Sequence, residues 1–371
     1  EDLGVNLGEG QTTTLTLSLD ESRTYIGEEN GNEYPMYWSE GDQITVNGHT
    51  SLALTAEDIN GNSATFTIPA VLEGNYCVTY PAAAEGQVKF AAEQTHKDNT
   101  TFGDGVTTMY GYGESGNLTL KSLTGILKIG VTGSAKLTKA QISTIDRAPI
   151  AGAFDFDFEK GEIVKAAADA KDVIGYSFVE GVQLSNEPTY MHIAVPAGVY
   201  DELYVTLYDN EGGVMYATVK AYKNETENKS LKAGKVRVFT TPIAYTPNDS
   251  VFVIHDYESL CTFASKIGTL DKNAVFVNDI EIPEGESWTP ISNATYTKTI
   301  IGHGYAIKGL TKPLFDLTHA TIEGLHLEDV AIVETEKTLV GAMAREFRGT
   351  MKNCSAEGSL EMNTNDNTAA S

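Results

Sequence analysis

Residues 34–47 read Y-P-M-Y-W-S-E-G-D-Q-I-T-V-N, and the fold class turns on this stretch. Pro35 fixes its own φ and biases Tyr34 toward an extended backbone, which disfavours a helix start. Tyr37 and Trp38 supply large rings of the kind that fill a core between sheets. Glu40-Gly41-Asp42 makes a turn, and Ile44-Thr45-Val46 is a β-branched run expected to form a strand. The expected local structure is strand, turn, strand around an aromatic plug.

Toward the amino terminus, residues 11–20 read Q-T-T-T-L-T-L-S-L-D. Leu15, Leu17 and Leu19 share one face of an extended chain and Thr14, Thr16 and Ser18 the other, the pattern of a half-buried antiparallel strand. Toward the carboxyl terminus, strands are expected at 64–68, 76–80 and 87–90, punctuated by turn clusters at 28–32 and 60–62. Short strands with such punctuation predict a β-sandwich. The polar, Gly-rich segment 95–113 is expected to be a long surface loop. A second unit is expected from near Asn117, where Leu118 and Leu120 alternate, then Leu127, Ile129 and Val131. Phe154, Phe156 and Phe158 are predicted to face one way and Asp155, Asp157 and Glu159 the other. Further strands are expected at 191–195, 203–208, 214–220 and 236–240, with Asn210-Glu211-Gly212-Gly213 joining the middle pair as a hairpin. Only the alanines of 165–173 hint at a short helix.

Beyond the Pro- and Asn-containing linker 246–250 the period changes. Leu260, Phe263, Ala264 and Ile267 fall at helical spacing behind Asp256, a candidate N-cap. A loose repeat follows: Ala306-Ile307-Lys308-Gly309-Leu310 is echoed by Thr321-Ile322-Glu323-Gly324-Leu325 and by Thr350-Met351-Lys352-Asn353-Cys354. Stacked copies would align the inward aliphatic residues in one column and Gly309, Gly324 and Asn353 at corners. The longer gap before the third copy predicts an insertion around 334–348. The segment resembles the glycine-rich solenoid repeats of bacterial surface proteins, which implies a right-handed parallel β-helix with the 256–267 helix as its amino-terminal cap. The expected architecture is all-β, with two tandem sandwiches at 1–115 and 116–247 and the β-helix at 248–371.

The chain has 371 residues with 41% hydrophobic content, and 51 acidic against 26 basic residues give a formal net charge of −25. Nucleic acid and anionic membrane surfaces would repel such a chain, whereas an acidic coat suits a soluble secreted protein. Cys77, Cys261 and Cys354 are far apart and odd in number, so they form neither a disulfide framework nor a zinc motif and are expected to be small core residues. No apolar run is long enough to span a membrane. The abrupt polar start at Glu1-Asp2 is expected for a mature chain whose export signal has been removed, and the polar stretch 363–371 offers no final cap for the coil, as if the native chain continued.

No motif for catalysis emerges, and no cofactor is expected. None of the seven histidines makes H-E-x-x-H. His319, Glu323 and His326 would share a helical face and hold a metal, but the surrounding residues read as strand and separate them. Asp155, Asp157 and Glu159 lack the glycine of an EF-hand loop, Lys160 standing in its place. There is no G-x-S-x-G elbow, and Gly302-His303-Gly304 is no dinucleotide fingerprint. Asp316, Glu323, Glu328 and Asp329 are the carboxylates a β-helix polysaccharide-degrading enzyme would draw on, although any acidic surface has them. Trp288, Tyr296 and Tyr305 are the candidate rings for stacking on a sugar, with core packing as the alternative.

Ser22-Arg23-Thr24-Tyr25 together with residues 34–47 resembles the amino-terminal signature of the fimbrillin family, subunits of the type V pili of anaerobic Gram-negative bacteria. Ala151-Gly152-Ala153-Phe154, Val195-Pro196-Ala197-Gly198 and Leu231-Lys232-Ala233-Gly234-Lys235 resemble, in order, landmarks of fimbrillin carboxy-terminal domains. The resemblance implies two transthyretin-like sandwiches and assembly by strand addition, in which proteolysis after an Arg removes the first strand and a partner's segment fills the groove. Arg23–Thr24 becomes the candidate cleaved bond, and Leu15, Leu17 and Leu19 the displaced strand. The third domain suits a tip or accessory adhesin at the cell surface, exported through the outer membrane and lipid-anchored as a precursor. Its partners would be other pilus subunits and a host or bacterial surface protein or glycan. The alternatives are a surface glycan-binding protein that does not polymerise and the β-helix enzyme.

Overall fold

The computed structural model describes residues 11–19, 25–28, 33–200, 202–220, 230–247, 250–335 and 339–363. Nearly all regular structure is β, and Tyr257–Lys266 is the only α-helix among these residues. The chain divides into two compact units, residues up to 245 without 214–216, and residues from 246 together with 214–216.

The first unit is built on an eight-stranded sheet. Its order is His49–Thr50, Thr45–Val46, Tyr76–Tyr80, Met109–Gly113, Asn117–Ser122, Thr13–Leu19, Ser63–Ile68 and Ile59–Asn60. The Thr13–Leu19 strand alternates as its sequence requires, with Leu15 and Leu17 wholly buried and Leu19 2% exposed. Asn117–Ser122 crosses the boundary expected after residue 115 by pairing with both Thr13–Leu19 and Met109–Gly113. Alternation at Leu118 and Leu120 marks a strand but not the sheet that receives it.

Other strands cross the same boundary in the opposite sense. Tyr25–Glu28 pairs with Lys235–Ala244, Gln87–Phe90 with Gly152–Asp157, and Glu93–Thr95 with Val173–Gln183. A shared apolar cluster follows, in which Leu15, Leu17, Trp38 and Phe66 meet Ile126, Ala194 and Val236. Gln94 adds a polar cross-link to this core. Its buried amide donates to the Ala194 carbonyl at 2.7 Å and accepts the Ala194 N–H at 2.8 Å, as a strand neighbour would. Phe154, Phe156 and Phe158 are buried on one side as expected, while Asp155 and Asp157 on the other pair with Lys165 and Lys160.

Three local expectations are corrected. Segment 95–113 is not one loop, since Met109–Gly113 is a strand with Met109 and Tyr110 buried. Its glycines serve close approach: a Cβ on Gly111 would lie 2.8 Å from Leu120 Cδ2, and one on Gly113 2.9 Å from Leu118 Cδ2. Segment 165–173 forms no helix, because Glu162–Ala166 is drawn into a strand against Gly152–Asp157 and Val173–Gln183 is a strand. Pairing overrides alanine's helix preference here. Trp38 fills the core as expected, but Tyr37 is 72% exposed, since neighbours on an extended chain face opposite ways.

The second unit winds three parallel sheets. Val251–Ile254, Asn273–Phe276, Thr299–Ile301, Thr321–Glu323 and Thr350–Lys352 form the first. Ile280–Glu281, Ala306–Lys308, His326–Glu334 and Ser355–Met362 form the second. Ile291–Asn293, Phe315–Thr318 and Ala344–Phe347 form the third. From Asn273 onward every third strand returns to the same sheet. Paired residues register in columns: buried Ala274, Ile300 and Ile322 with exposed Met351; buried Ile280, Ile307 and Leu327 with exposed Ala356; buried Ile291 and Phe315 with half-buried Ala344.

The expected repeat is therefore half right. Thr321-Ile322-Glu323 does lie on Thr350-Met351-Lys352, but Ala306-Ile307-Lys308 belongs to the second sheet, beneath His326-Leu327-Glu328. Each side of a coil carries the same inward–outward alternation, so a copy on one side mimics a copy on the next. Residues 344–347, expected within an insertion, form a regular side of the coil.

Asp256 caps the helix as its sequence predicts, accepting the Ser259 N–H at 2.8 Å. Leu260, Phe263 and Ile267 are buried in the same cluster as Ile254, Phe276 and Ile300, and the Phe263 ring meets Tyr296 edge-on at 5.7 Å. The three cysteines are free and half-buried.

Candidate functional site

The Thr13–Leu19 strand is inserted between two neighbours of opposite direction. It runs antiparallel to Ser63–Ile68, with Leu15 opposite Phe66 and Leu17 opposite Ala64. It runs parallel to Asn117–Ser122, with Leu17 opposite Leu118 and Leu19 opposite Leu120. Both of its edges are thus hydrogen-bonded, including Thr16 N–H to the Gly116 carbonyl at 2.8 Å and Leu19 N–H to the Asn62 carbonyl at 2.9 Å.

Side-chain hydroxyls fix the outer face and the start of the strand. The Ser18 and Ser63 hydroxyls are 2.8 Å apart. Thr13 Oγ1 donates to the Ala70 carbonyl and accepts the Leu72 N–H, both at 2.8 Å. Three buried leucines contribute about 1.5–3 kcal/mol each in apolar burial. A strand taken from this position would leave an apolar slot floored by Phe66, Ile68 and Leu120, with two unpaired backbone edges.

Near the Leu19 end lies a cavity of about 580 Å³ walled by Trp38, Tyr80, Phe102 and Met109. The Trp38 ring packs edge-on against Phe66 at 5.1 Å and Tyr80 at 5.3 Å. The Tyr80 hydroxyl donates to Asp42 Oδ1 at 2.8 Å, and the Ser39 N–H donates to Asp42 Oδ2 at 2.8 Å. Burial pushes the Asp42 carboxyl above its ordinary range, these hydrogen bonds oppose the rise, and the charge of Asp104 adds to it. In the sequence Asp42 stands only as a turn residue, and its partner Tyr80 comes from a separate strand, Tyr76–Tyr80.

Arg23 and Thr24 lie outside the described residues. Trp288, Tyr296 and Tyr305 are corrected as a stacking platform, being 4%, 2% and 5% exposed. Trp288 Nε1–H donates to the Leu314 carbonyl at 3.2 Å and the Tyr296 hydroxyl to the Lys272 carbonyl at 3.0 Å, so their polar atoms are spent on holding the coil together. Glu323 and His326 fall on different sheets, and His326 Nδ1 lies 2.7 Å from the Ser355 hydroxyl. Among the described residues no group of three or more His, Cys, Asp or Glu is placed to hold a metal. Asp316 pairs with Arg345, which also binds the buried Glu334, and Glu328 pairs with Lys308. These carboxylates of the coil are engaged in separate ion pairs rather than gathered in one groove.

A family model for the M26 IgA1-specific metallo-endopeptidase N-terminal region matches residues 284–358, well under half of the chain and within the three-sheet unit. No curated protein matches. Among solved structures, a candidate cell adhesion protein of Bacteroides uniformis aligns at 13% identity with a TM-score of 0.35, covering 62% of this chain and 93% of that one. A candidate cell adhesion protein of Bacteroides ovatus aligns at 14% identity with a TM-score of 0.33, covering 64% of this chain and 96% of that one. The C-terminally truncated tip fimbrial protein Mfa3 of Porphyromonas gingivalis aligns at 6% identity with a TM-score of 0.25, covering 60% of this chain and 90% of that one. None reaches a TM-score of 0.5, too little to carry the fold or role of those proteins over to this chain.

Proposed function

We propose that this chain is a cell-surface fimbrial subunit of the tip or accessory kind, joined to its neighbours by strand exchange and not an enzyme. The observation that carries the reading is the interior place of Thr13–Leu19, an amino-terminal strand paired on both edges with its three leucines buried. Removing it would create a slot that an extended segment of another subunit could refill with backbone hydrogen bonds and alternate apolar side chains. The fimbrillin-like motifs quoted above supply the second support, and Arg23–Thr24 is the proposed cleaved bond. In this reading the expected 1–115 and 116–247 regions are two transthyretin-like sandwiches that exchange strands across their boundary, Asn117–Ser122 lying in the sheet of Thr13–Leu19. Residues 248–371 form a right-handed parallel β-helix, capped by its helix and displayed for adhesion to a surface protein or glycan. The precursor is exported across the outer membrane and lipid-anchored.

The test starts from the secreted precursor treated with an Arg-specific protease. Amino-terminal sequencing should find Thr24 as the new first residue, and no cut there abandons the proposed bond. The cleaved subunit should then take up a synthetic peptide with the sequence of residues 11–20, but not its counterpart with serine in place of Leu15, Leu17 and Leu19. Gold-labelled antibody should mark filament ends, and uniform labelling of the shaft would rule out a tip position. Trp288, Tyr296 and Tyr305 offer no stacking face to a glycan, because those rings are buried.

A further inference from the structure

We propose that the cavity at the Leu19 end of the strand slot is a specificity pocket for a basic side chain, Lys or Arg, carried by an incoming extended segment. The pocket's place as a reader of the exchanged strand rests on the strand-exchange reading; its preference for a basic group does not. Leu19, the last inward residue of the strand, is part of the cavity wall, so slot and cavity are continuous. A segment seated in the slot therefore presents its next inward side chain to this space.

The walls suit an aliphatic stem with a cationic head. Tyr37, which also lines the cavity and is 72% exposed, offers ring surface, against which alkyl chains pack and cations are attracted. Two carboxylates and one ammonium share the lining. Lys97 is paired with Asp104 at 2.5 Å, whereas among the described residues Asp42 accepts from neutral donors, the Ser39 N–H and the Tyr80 hydroxyl. Among the described residues Asp42 is the lining carboxylate with no cationic partner. The volume of about 580 Å³ lies within the range of small-ligand pockets.

The probe is Nα-acetyl-L-lysine N-methylamide, titrated into the intact chain and followed by the Trp38 indole resonance and by calorimetry. Its matched controls are the norleucine and glutamate analogues. The lysine probe should bind at least about tenfold more tightly than the norleucine analogue, weaken with salt, and outcompete the glutamate analogue. Asp42→Asn should cost about tenfold in affinity. Asp104→Asn, at a side chain 77% exposed and so tolerant of change, should cost about threefold. Lys97→Met removes the competing ammonium and should tighten the probe by about threefold. Equal binding of the norleucine analogue, or an unchanged affinity in both Asp42→Asn and Lys97→Met, overturns the proposal. The cavity is present with the Thr13–Leu19 strand in place, Leu19 being part of its wall, so this outcome leaves strand exchange standing. A failed cut at Arg23, in turn, leaves the pocket's preference for a basic group untouched.

Discussion

Leu17 has no exposed surface and faces Ala64 on one side and Leu118 on the other. Leu17→Ala removes buried methyl groups from the middle of the sheet and should destabilise the first unit by about 2–5 kcal/mol, read from the urea midpoint. Thr14→Ala, three positions earlier at an exposed site, should change it by less than about 0.5 kcal/mol. That contrast was legible in the alternation of residues 11–20. Asp42 was not, because its partner Tyr80 and its burial come from long-range packing. Its carboxyl titrates higher in the folded chain than in the unfolded one, through burial first. The stability tied to this shift is therefore present below about pH 4, the ordinary Asp value, and is lost as pH rises through the folded value. Asp42→Asn does not titrate, so its stability relative to the parent should climb over that interval and then level off. A flat difference between pH 3 and 7, in parallel urea titrations, would refute the burial effect.

At the scale of elements, the sequence named most strands but mistook glycine for looseness. Met109–Gly113 was hidden because Gly111 and Gly113 look like loop residues, whereas they make room for Leu118 and Leu120. Gly111→Ala should force Leu120 aside and cost about 1–3 kcal/mol, with Gly74→Ala as a contrasting control where strain comes from a positive φ and no neighbour is met. The helix is the opposite case. Asp256, Leu260, Phe263 and Ile267 announced its start, its buried face and its place against the coil. Asp256→Ala should lower stability by about 0.5–2 kcal/mol, and Asp256→Ser should restore most of it, as monitored by thermal unfolding.

For the whole molecule, charge is the dominant global quantity. A net charge of −25 makes the compact state self-repelling at low ionic strength. Raising salt from about 10 to 300 mM shortens the Debye length from about 30 Å to under 10 Å and should raise the urea midpoint. A midpoint that falls with salt would show that specific pairs such as Arg147–Asp172 outweigh the overall repulsion.

What the sequence determined by itself was the alternation of faces and the change of period after residue 246. Both are set by local geometry: successive side chains on an extended chain oppose each other, and helical ones recur every three to four residues. Only the tertiary structure decided which sheet each strand enters. It carried Asn117–Ser122 back beside Thr13–Leu19, set Ala306–Lys308 on a different side of the coil from Thr321–Glu323, and sank Trp288, Tyr296 and Tyr305 into the core. A strand's alternation is satisfied by any complementary neighbour, so the partner is chosen by the packing of distant residues.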